Sequence, residues 1–114
     1  MASGKIHNDS AVQTITLTAS ANLNAIGTST KAYRVGRLVI VHMYSQIIAN
    51  VAGSADLISG LPAPLSTPYF VLSTNVGNYS YRAKITSNGV VQTEGAFAST
   101  QSWYAGSVVY ISAS

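Results

Sequence analysis

The fold is decided by the segment YRVGRLVIVHMYSQII, residues 33–48. It is rich in β-branched and aromatic residues, and apolar residues occupy both parities of the segment. The two predicted faces of a strand here are Val39, Val41 and Met43 on one side and Leu38, Ile40 and Tyr44 on the other. A helix of this length is the competing interpretation, but the β-branched density and Gly36 disfavour it. The segment therefore predicts one long strand that is covered on both faces.

Other segments carry the two-residue period of half-buried strands. Residues 12–18 place Ile15 and Leu17 on one side, and residues 79–85 alternate in the same way. Asn88 and Gly89 form the strongest hairpin signal, because both residue types accept positive φ. Residues 103–112 predict a final strand. Together these patterns predict an all-β fold, a β-sandwich or jelly-roll-like domain of about seven or eight antiparallel strands.

The length of 114 residues fits one domain, since two halves would each be too small to bury a core. We therefore predict a single β domain over residues 1–114, with residues 1–10 as a candidate flexible extension. The N-terminal residues lack the apolar run of a signal peptide, and no stretch of about 18 apolar residues occurs anywhere. The expectation is neither export by a signal peptide nor membrane insertion.

Charged residues make up only 8% of the chain, against about 25% in ordinary soluble domains. Uncharged polar residues and seven Tyr must supply the surface, and such residues tolerate the approach of another chain better than Lys or Glu. Combined with the two-faced apolar strand, this composition predicts a closed homo-oligomer. The basic residues form no cluster longer than Arg34 and Arg37, so nucleic-acid binding is not expected.

No set of residues in the sequence indicates catalysis. The three acidic residues are far apart, the two His have no metal-ligand spacing, and there is no Cys. The segment from Gly27 to Lys31 lacks the ending of a phosphate-binding loop. His42 lies within the most apolar strand, which favours a buried, hydrogen-bonded role or a place at an oligomer axis. We predict that the chain is not an enzyme, with no catalytic residue, metal or cofactor.

Aromatic residues near turns are the remaining candidates for function. An exposed pair at Trp103 and Tyr104 suits stacking on a sugar ring or contact with another protein. The predicted ligand site, on loops at one end of the sandwich, consists of Trp103, Tyr104, Tyr79, Tyr81 and Arg82. The alternative for Trp103 is that it is simply the largest core residue.

Several motifs taken in order resemble the C-terminal head domains of phage tail fibres and related phage structural proteins. They are the Val-Gly-x-x-Val-type strand in residues 33–41, the Ser-Gly-Leu-Pro segment in residues 58–64, the Asn88-Gly89 hairpin, and the terminal Tyr110-Ile111 pair. The resemblance covers residues 31–112. It implies a homotrimeric head in the virion, at the tip of a fibre, that binds a saccharide or protein receptor on the bacterial surface. No site residue is carried over from the family.

Two other classes of function stay open. A structural virion component, such as a capsid decoration or baseplate protein, would use the same surface to contact other virion proteins. A free carbohydrate-binding module would be monomeric and would expose an aromatic platform. The oligomeric mass separates the module from the two viral classes, and binding to whole cells separates the fibre head from the structural component.

Overall fold

The computed structural model describes residues 11–47, 50–51, 54–73, 80–94, 97–98 and 103–114. These residues form strands, turns and bends, and the predicted all-β, sandwich-like class is confirmed. The strands are β1 (Gln13–Thr14), β2 (Thr18–Ala19), β3 (Leu23–Ile26), β4 (Lys31–Val35), β5 (Leu38–Ile47), β6 (Asn50–Val51), β7 (Asp56–Ser59), β8 (Tyr69–Ser73), β9 (Ser80–Ile85), β10 (Val91–Thr93), β11 (Phe97–Ala98) and β12 (Trp103–Ile111). Within the described ranges, no helix has the length and apolarity needed to cross a membrane.

Ten of these strands make one antiparallel sheet. Its order is β1-β4-β5-β12-β8-β9-β10-β7-β2, and β3 pairs with β5 beside β4. The longest ladder joins β5 to β12 over nine residue pairs, from Trp103 opposite Gln46 to Ile111 opposite Leu38. The small sheet of β6 and β11 is separate. The last strand in the chain, β12, therefore lies at the centre of the fold.

The segment that decides the fold is a hairpin rather than one strand, so the prediction of a single strand over residues 33–48 is wrong. Val35 pairs with Leu38, and Gly36 and Arg37 form the two-residue turn between β4 and β5. Gly36 has a φ of 58°, the positive value that both hairpin turn types with right-handed twist require at the first central residue. Gly36 therefore reverses the chain direction within a run of apolar residues that continues on both sides of it.

One face of the sheet encloses the core. The buried apolar residues are Val39, Val41 and Met43 of β5, Tyr104, Val108 and Tyr110 of β12, Phe70 and Leu72 of β8, Ala83 and Ile85 of β9, Val91 of β10, and Leu23, Ala32, Ala55, Leu57, Ile58 and Leu61. Thr93 is buried with them, and its Oγ1 accepts a hydrogen bond of 2.8 Å from the amide of Ala55. The predicted division of residues 38–44 by parity is confirmed, because Val39, Val41 and Met43 all point into this core.

The two ends of the curled sheet are joined by a short segment, which we call the strap, residues 15–17. β1 pairs with β4 at one end of the sheet, and β2 pairs with β7 at the other. Ile15 donates its amide to the carbonyl of Ala32, while Ser20 donates to Leu57, both at 2.9 Å. Ile15 and Leu17 pack on the core from this position, so their predicted shared face is confirmed although residues 12–18 do not form one continuous strand.

The two arginines singled out by the sequence hold the last residues against the β4–β5 turn. Arg37 donates from Nε and from one terminal nitrogen to the carbonyl of Ser112, at 3.0 and 2.8 Å. Arg34 donates to the Ser112 hydroxyl at 3.0 Å and also to the carbonyl of Ser114. Their proximity in sequence therefore reflects a structural role at one end of the sheet.

Candidate binding surface

The sheet has a second face, on the side away from the core, which we call the outer face. Side chains of β4, β5, β12, β8 and β9 alternate between it and the core, because successive residues of a strand point to opposite sides. Among the residues that the structure describes, ten are large, apolar and more than a third exposed, and seven of them lie on this face at 38–58% exposure. These seven are Leu38, Ile40, Tyr44, Tyr69, Val71, Val109 and Ile111. The described residues thus cover only one face of β5, not both as predicted.

The middle of this surface is an apolar centre, defined as Leu38, Ile40, Tyr69, Val71, Val109 and Ile111. Cross-strand pairing aligns Ile40 and Val109 with Tyr33 of β4 in one row. It aligns Leu38 and Ile111 with Val35 of β4 in the next. Directly opposite side chains in antiparallel strands lie close enough to pack. The rows consequently form a continuous apolar surface over three neighbouring strands.

A polar row, defined as Lys31, His42 and Ser107, borders the apolar centre. Both Lys31 and Ser107 stand opposite His42 in the ladders. His42 Nδ1 lies 2.9 Å from the Ser107 Oγ, so the two side chains are hydrogen-bonded across the strands. His42 is exposed in the single chain. The prediction that it is buried is therefore wrong for the isolated chain, while its place on the outer face leaves the oligomer-facing alternative standing.

Beyond the polar row lies an aromatic end, formed by Tyr44 and Trp103. Their rings are stacked, with centroids 4.8 Å apart and planes inclined by 24°. Gly27 approaches this stack so closely that a Cβ there would lie 2.6 Å from the ring of Tyr44. Thr30 Oγ1 accepts a hydrogen bond of 2.8 Å from the Tyr44 amide and donates one of 2.6 Å to its carbonyl. The backbone of Tyr44 is fixed, and the stack is correspondingly well positioned.

Arg82 extends the outer face on β9. Its guanidinium carbon lies 4.3 Å above the centroid of the Tyr69 ring, a cation–π contact. Its Nε lies 3.6 Å from a carboxylate oxygen of Glu94. Both charged groups are exposed, so this ion pair adds little stability, and the guanidinium keeps donors directed towards solvent.

The five residues predicted as a ligand site are divided between the two faces. Trp103 and Arg82 lie on the outer face, while Tyr104 is 1% exposed and belongs to the core. Tyr81 is partly buried and packs edge-on against Tyr104, with ring centroids 5.7 Å apart. Tyr79 lies outside the described residues. Trp103 and Tyr104 therefore do not form an exposed pair, because adjacent residues of β12 point to opposite faces of the sheet.

The predicted location on loops also differs from the structure. Trp103 and Tyr104 begin strand β12, and Tyr81 and Arg82 lie within β9. Gly106 lies within β12, opposite Met43. A Cβ at Gly106 would lie 2.5 Å from the carbonyl oxygen of Val71, which shows that this glycine permits close approach of β8 rather than a bend.

The aliphatic part of the outer face was missed as a site. Its signal was present in the sequence, since Leu38 and Ile40 alternate with the core residues of β5 and Val109 and Ile111 alternate with those of β12. The sequence of residues 38–48 does not show whether another part of the chain covers the outer face. Among the described residues there is no group of three His, Asp or Glu side chains positioned to hold a metal ion.

Comparison with known proteins adds no family assignment. A scan against protein-family models and a search of curated proteins give no match.

Proposed function

We propose that this chain is a non-enzymatic attachment module of a virion, of the phage tail-fibre head type, that binds a saccharide on the bacterial surface. The observation that carries the proposal is the outer face, where an aromatic end and a large apolar centre stand open on a rigid sheet. Exposed apolar patches of this kind mark interaction surfaces. The resemblance of residues 31–112 to fibre heads supplies the biological setting.

The saccharide would bind at the aromatic end. Sugar rings present faces of C–H bonds that pack on aromatic rings, and their hydroxyls need directional polar partners. The Tyr44–Trp103 stack offers aromatic rings for the C–H faces of the sugar. The adjacent His42 and Ser107 of the polar row offer polar partners for its hydroxyls. Of the five residues predicted from the sequence, Trp103 is retained in this site.

Adsorption of the fluorescently labelled protein to a panel of bacterial strains tests the proposal. We expect saturable adsorption to at least one strain, competed by polysaccharide from that strain. Trp103→Ala should reduce the adsorption at least about tenfold, since stacking on one ring is worth more than 1 kcal/mol in comparable sites. The fold should be retained because Trp103 lies outside the core.

Tyr69→Ala is the matched control, because Tyr69 is another exposed aromatic residue of the same face. It should leave adsorption unchanged. Loss of adsorption in Tyr69→Ala but not in Trp103→Ala would move the site to the Tyr69–Arg82 pair. Absence of adsorption to every strain of the panel would contradict the proposal.

A structural virion component is the second candidate, favoured by the aliphatic character of the apolar centre. Aliphatic side chains suit a permanent protein contact, and obligate interfaces are the more apolar ones. In that case the purified chain would not adsorb to cells and would instead form a complex of fixed stoichiometry with another virion protein.

A further inference from the structure

The turn of the β9–β10 hairpin contains a chemically reactive pair of residues, Asn88 and Gly89. The sequence has seven asparagines, and Asn88 is the one that glycine follows. We propose that Asn88 is a modification site at which the side-chain amide is lost spontaneously, and that the hairpin sets the rate of this reaction. The inference goes beyond the proposed function and does not depend on it.

The reaction needs water and no enzyme. The backbone nitrogen of Gly89 loses its proton and forms a bond to the side-chain carbonyl carbon of Asn88, which closes a succinimide ring. The bond from that carbon to the side-chain nitrogen breaks, and the nitrogen leaves with the proton as ammonia. Water then breaks one of the two bonds between the ring nitrogen and a carbonyl carbon, giving its hydroxyl to the carbon and its proton to the nitrogen. The products are aspartate and isoaspartate, and no group is oxidised or reduced.

Glycine after asparagine leaves the attacking nitrogen unshielded. Because glycine has no Cβ, no side chain screens the nitrogen and the backbone rotates freely when the turn is open. Asn88 is exposed at the tip of the hairpin, where water reaches its amide. Asn22 differs in both respects, since the buried Leu23 follows it and its Nδ2 donates a hydrogen bond of 2.9 Å to the carbonyl of Asp56.

The closed hairpin restrains the reaction. Gly89 is buried, its amide donates 2.9 Å to the carbonyl of Thr86, and its carbonyl accepts a hydrogen bond of 3.1 Å from the amide of Leu61. An amide that is held as a donor keeps its proton and its position, so the attack on Asn88 requires that the turn opens. Local opening of this kind costs less free energy than global unfolding. Deamidation therefore proceeds in the folded chain, but more slowly than in the unfolded chain.

The two products have different effects on the hairpin. Aspartate keeps the length of the backbone and adds one charge at the exposed position 88. Isoaspartate inserts a methylene group into the main chain directly before Gly89. The surroundings of Gly89 leave no room for such a shift, because even a Cβ there would overlap the carbonyl oxygen of Leu61. The isoaspartyl chain consequently cannot form both hydrogen bonds of Gly89, and its hairpin is weakened permanently.

Peptide mapping by mass spectrometry tests the inference on the full chain, kept in mildly alkaline buffer for several weeks because asparagine is a thermolabile residue type. Asn88 should convert to aspartate and isoaspartate while Asn22 stays intact. In guanidinium chloride the conversion of Asn88 should be at least about tenfold faster, which corresponds to an opening free energy of at least about 1.4 kcal/mol. Equal rates in the two conditions would show that the hairpin does not set the rate. An unchanged Asn88 in guanidinium chloride would overturn the inference outright.

Asn88→Ala and Asn88→Asp are the matched variants. Asn88→Ala removes the reacting amide and should show no mass change in the hairpin peptide. Freshly purified Asn88→Asp has the charge of the products with an unaltered backbone, and it should unfold at nearly the wild-type concentration of guanidinium chloride. The isoaspartyl form, isolated chromatographically from aged wild-type protein, should unfold at a lower concentration.

An isoaspartyl form as stable as Asn88→Asp would contradict the predicted effect on the hairpin. None of these measurements uses adsorption to cells, so their outcome is independent of the proposed function.

Discussion

The hydroxyl of Tyr110 links the central strand β12 to the connection that follows β7. It donates a hydrogen bond of 2.8 Å to the carbonyl of Pro62. Burial disfavours the charged phenolate and raises the pKa of Tyr110 to about 12 from its ordinary value of 10.0, while the positive charge of Arg34 acts in the opposite direction. One phenol thus makes the stability of the fold sensitive to alkaline pH.

We expect the chain to lose stability as the pH rises from about 10 to 12. Because the pKa of Tyr110 is higher in the folded chain than in the unfolded one, its contribution is complete below pH 10 and declines as the pH approaches 12. The loss attributable to Tyr110 should reach about 2 kcal/mol. Urea unfolding measured at intervals between neutral and alkaline pH would show it.

Tyr110→Phe is the matched variant for this prediction. At neutral pH it should cost about 1 kcal/mol, because it removes the hydrogen bond to Pro62. The stability difference between the two proteins should then shrink and change sign as the pH approaches 12, since phenylalanine does not ionise. A difference that stays constant up to pH 12 would show that Tyr110 does not control the alkaline transition.

At the scale of the elements, the β9–β10 hairpin depends on one glycine. The amide of Gly89 donates 2.9 Å to the carbonyl of Thr86, and Ile85 pairs with Val91 across the hairpin. Gly89 has a φ of 75°, and a Cβ there would lie 1.9 Å from the carbonyl oxygen of Leu61. Glycine is therefore required at position 89, because the turn needs a positive φ there and leaves no space for a side chain.

We predict that Gly89→Ala lowers the free energy of unfolding by at least about 2 kcal/mol. The left-handed backbone conformation alone costs about 1–2 kcal/mol for alanine, and the contact with Leu61 must also be relieved. Asn88→Ala changes the neighbouring exposed residue and should stay within about 0.5 kcal/mol of wild type. Urea unfolding of both variants provides the comparison, and similar losses would argue against a special role for Gly89.

The same hairpin was predictable from the sequence, because Asn88-Gly89 carries its own turn chemistry. The β4–β5 hairpin was not, since Gly36 and Arg37 interrupt a run whose apolar residues continue on both sides. The period of two also assigned the faces of residues 38–44 correctly. Trp103 and Tyr104 were also predicted to lie in a strand. The same two-residue period would have placed them on opposite faces of the sheet.

The open outer face marks the limit of such sequence reasoning. Alternation shows which side chains share a face, but coverage of that face depends on the sheet order, which brings β12 between β5 and β8. That order comes from contacts distant in sequence. The core was therefore more predictable than the exposed outer face.

At the scale of the whole molecule, the strap closes the sheet. It connects β1 and β2, which belong to opposite ends of the strand order, and its Thr16 carbonyl lies where a Cβ of Gly60 would approach within 2.5 Å. Three residues span at most about 11 Å even when fully extended. The ends of the sheet must accordingly lie near one another, which is how a single sheet encloses a core.

We expect Ile15→Ala and Leu17→Ala each to lower the free energy of unfolding by about 1–2 kcal/mol. Both side chains are partly buried against the core, so each variant loses part of the burial of about three methylene groups. Thr16→Ala alters the exposed residue between them and should change stability by less than about 0.5 kcal/mol. Equal stability of all three variants would mean that the strap does not close the sheet.

The central position of β12 sets an order in time for folding during synthesis. At about 5–20 residues per second, a ribosome needs about 3–13 s to proceed from the end of β5 at Ile47 to the end of β12 at Ile111. Throughout that interval β5 has no partner along one edge, and its apolar residues stay exposed in the nascent chain. Folding must wait for the last strand, and a cell that makes this protein has to keep the growing chain from aggregating until then.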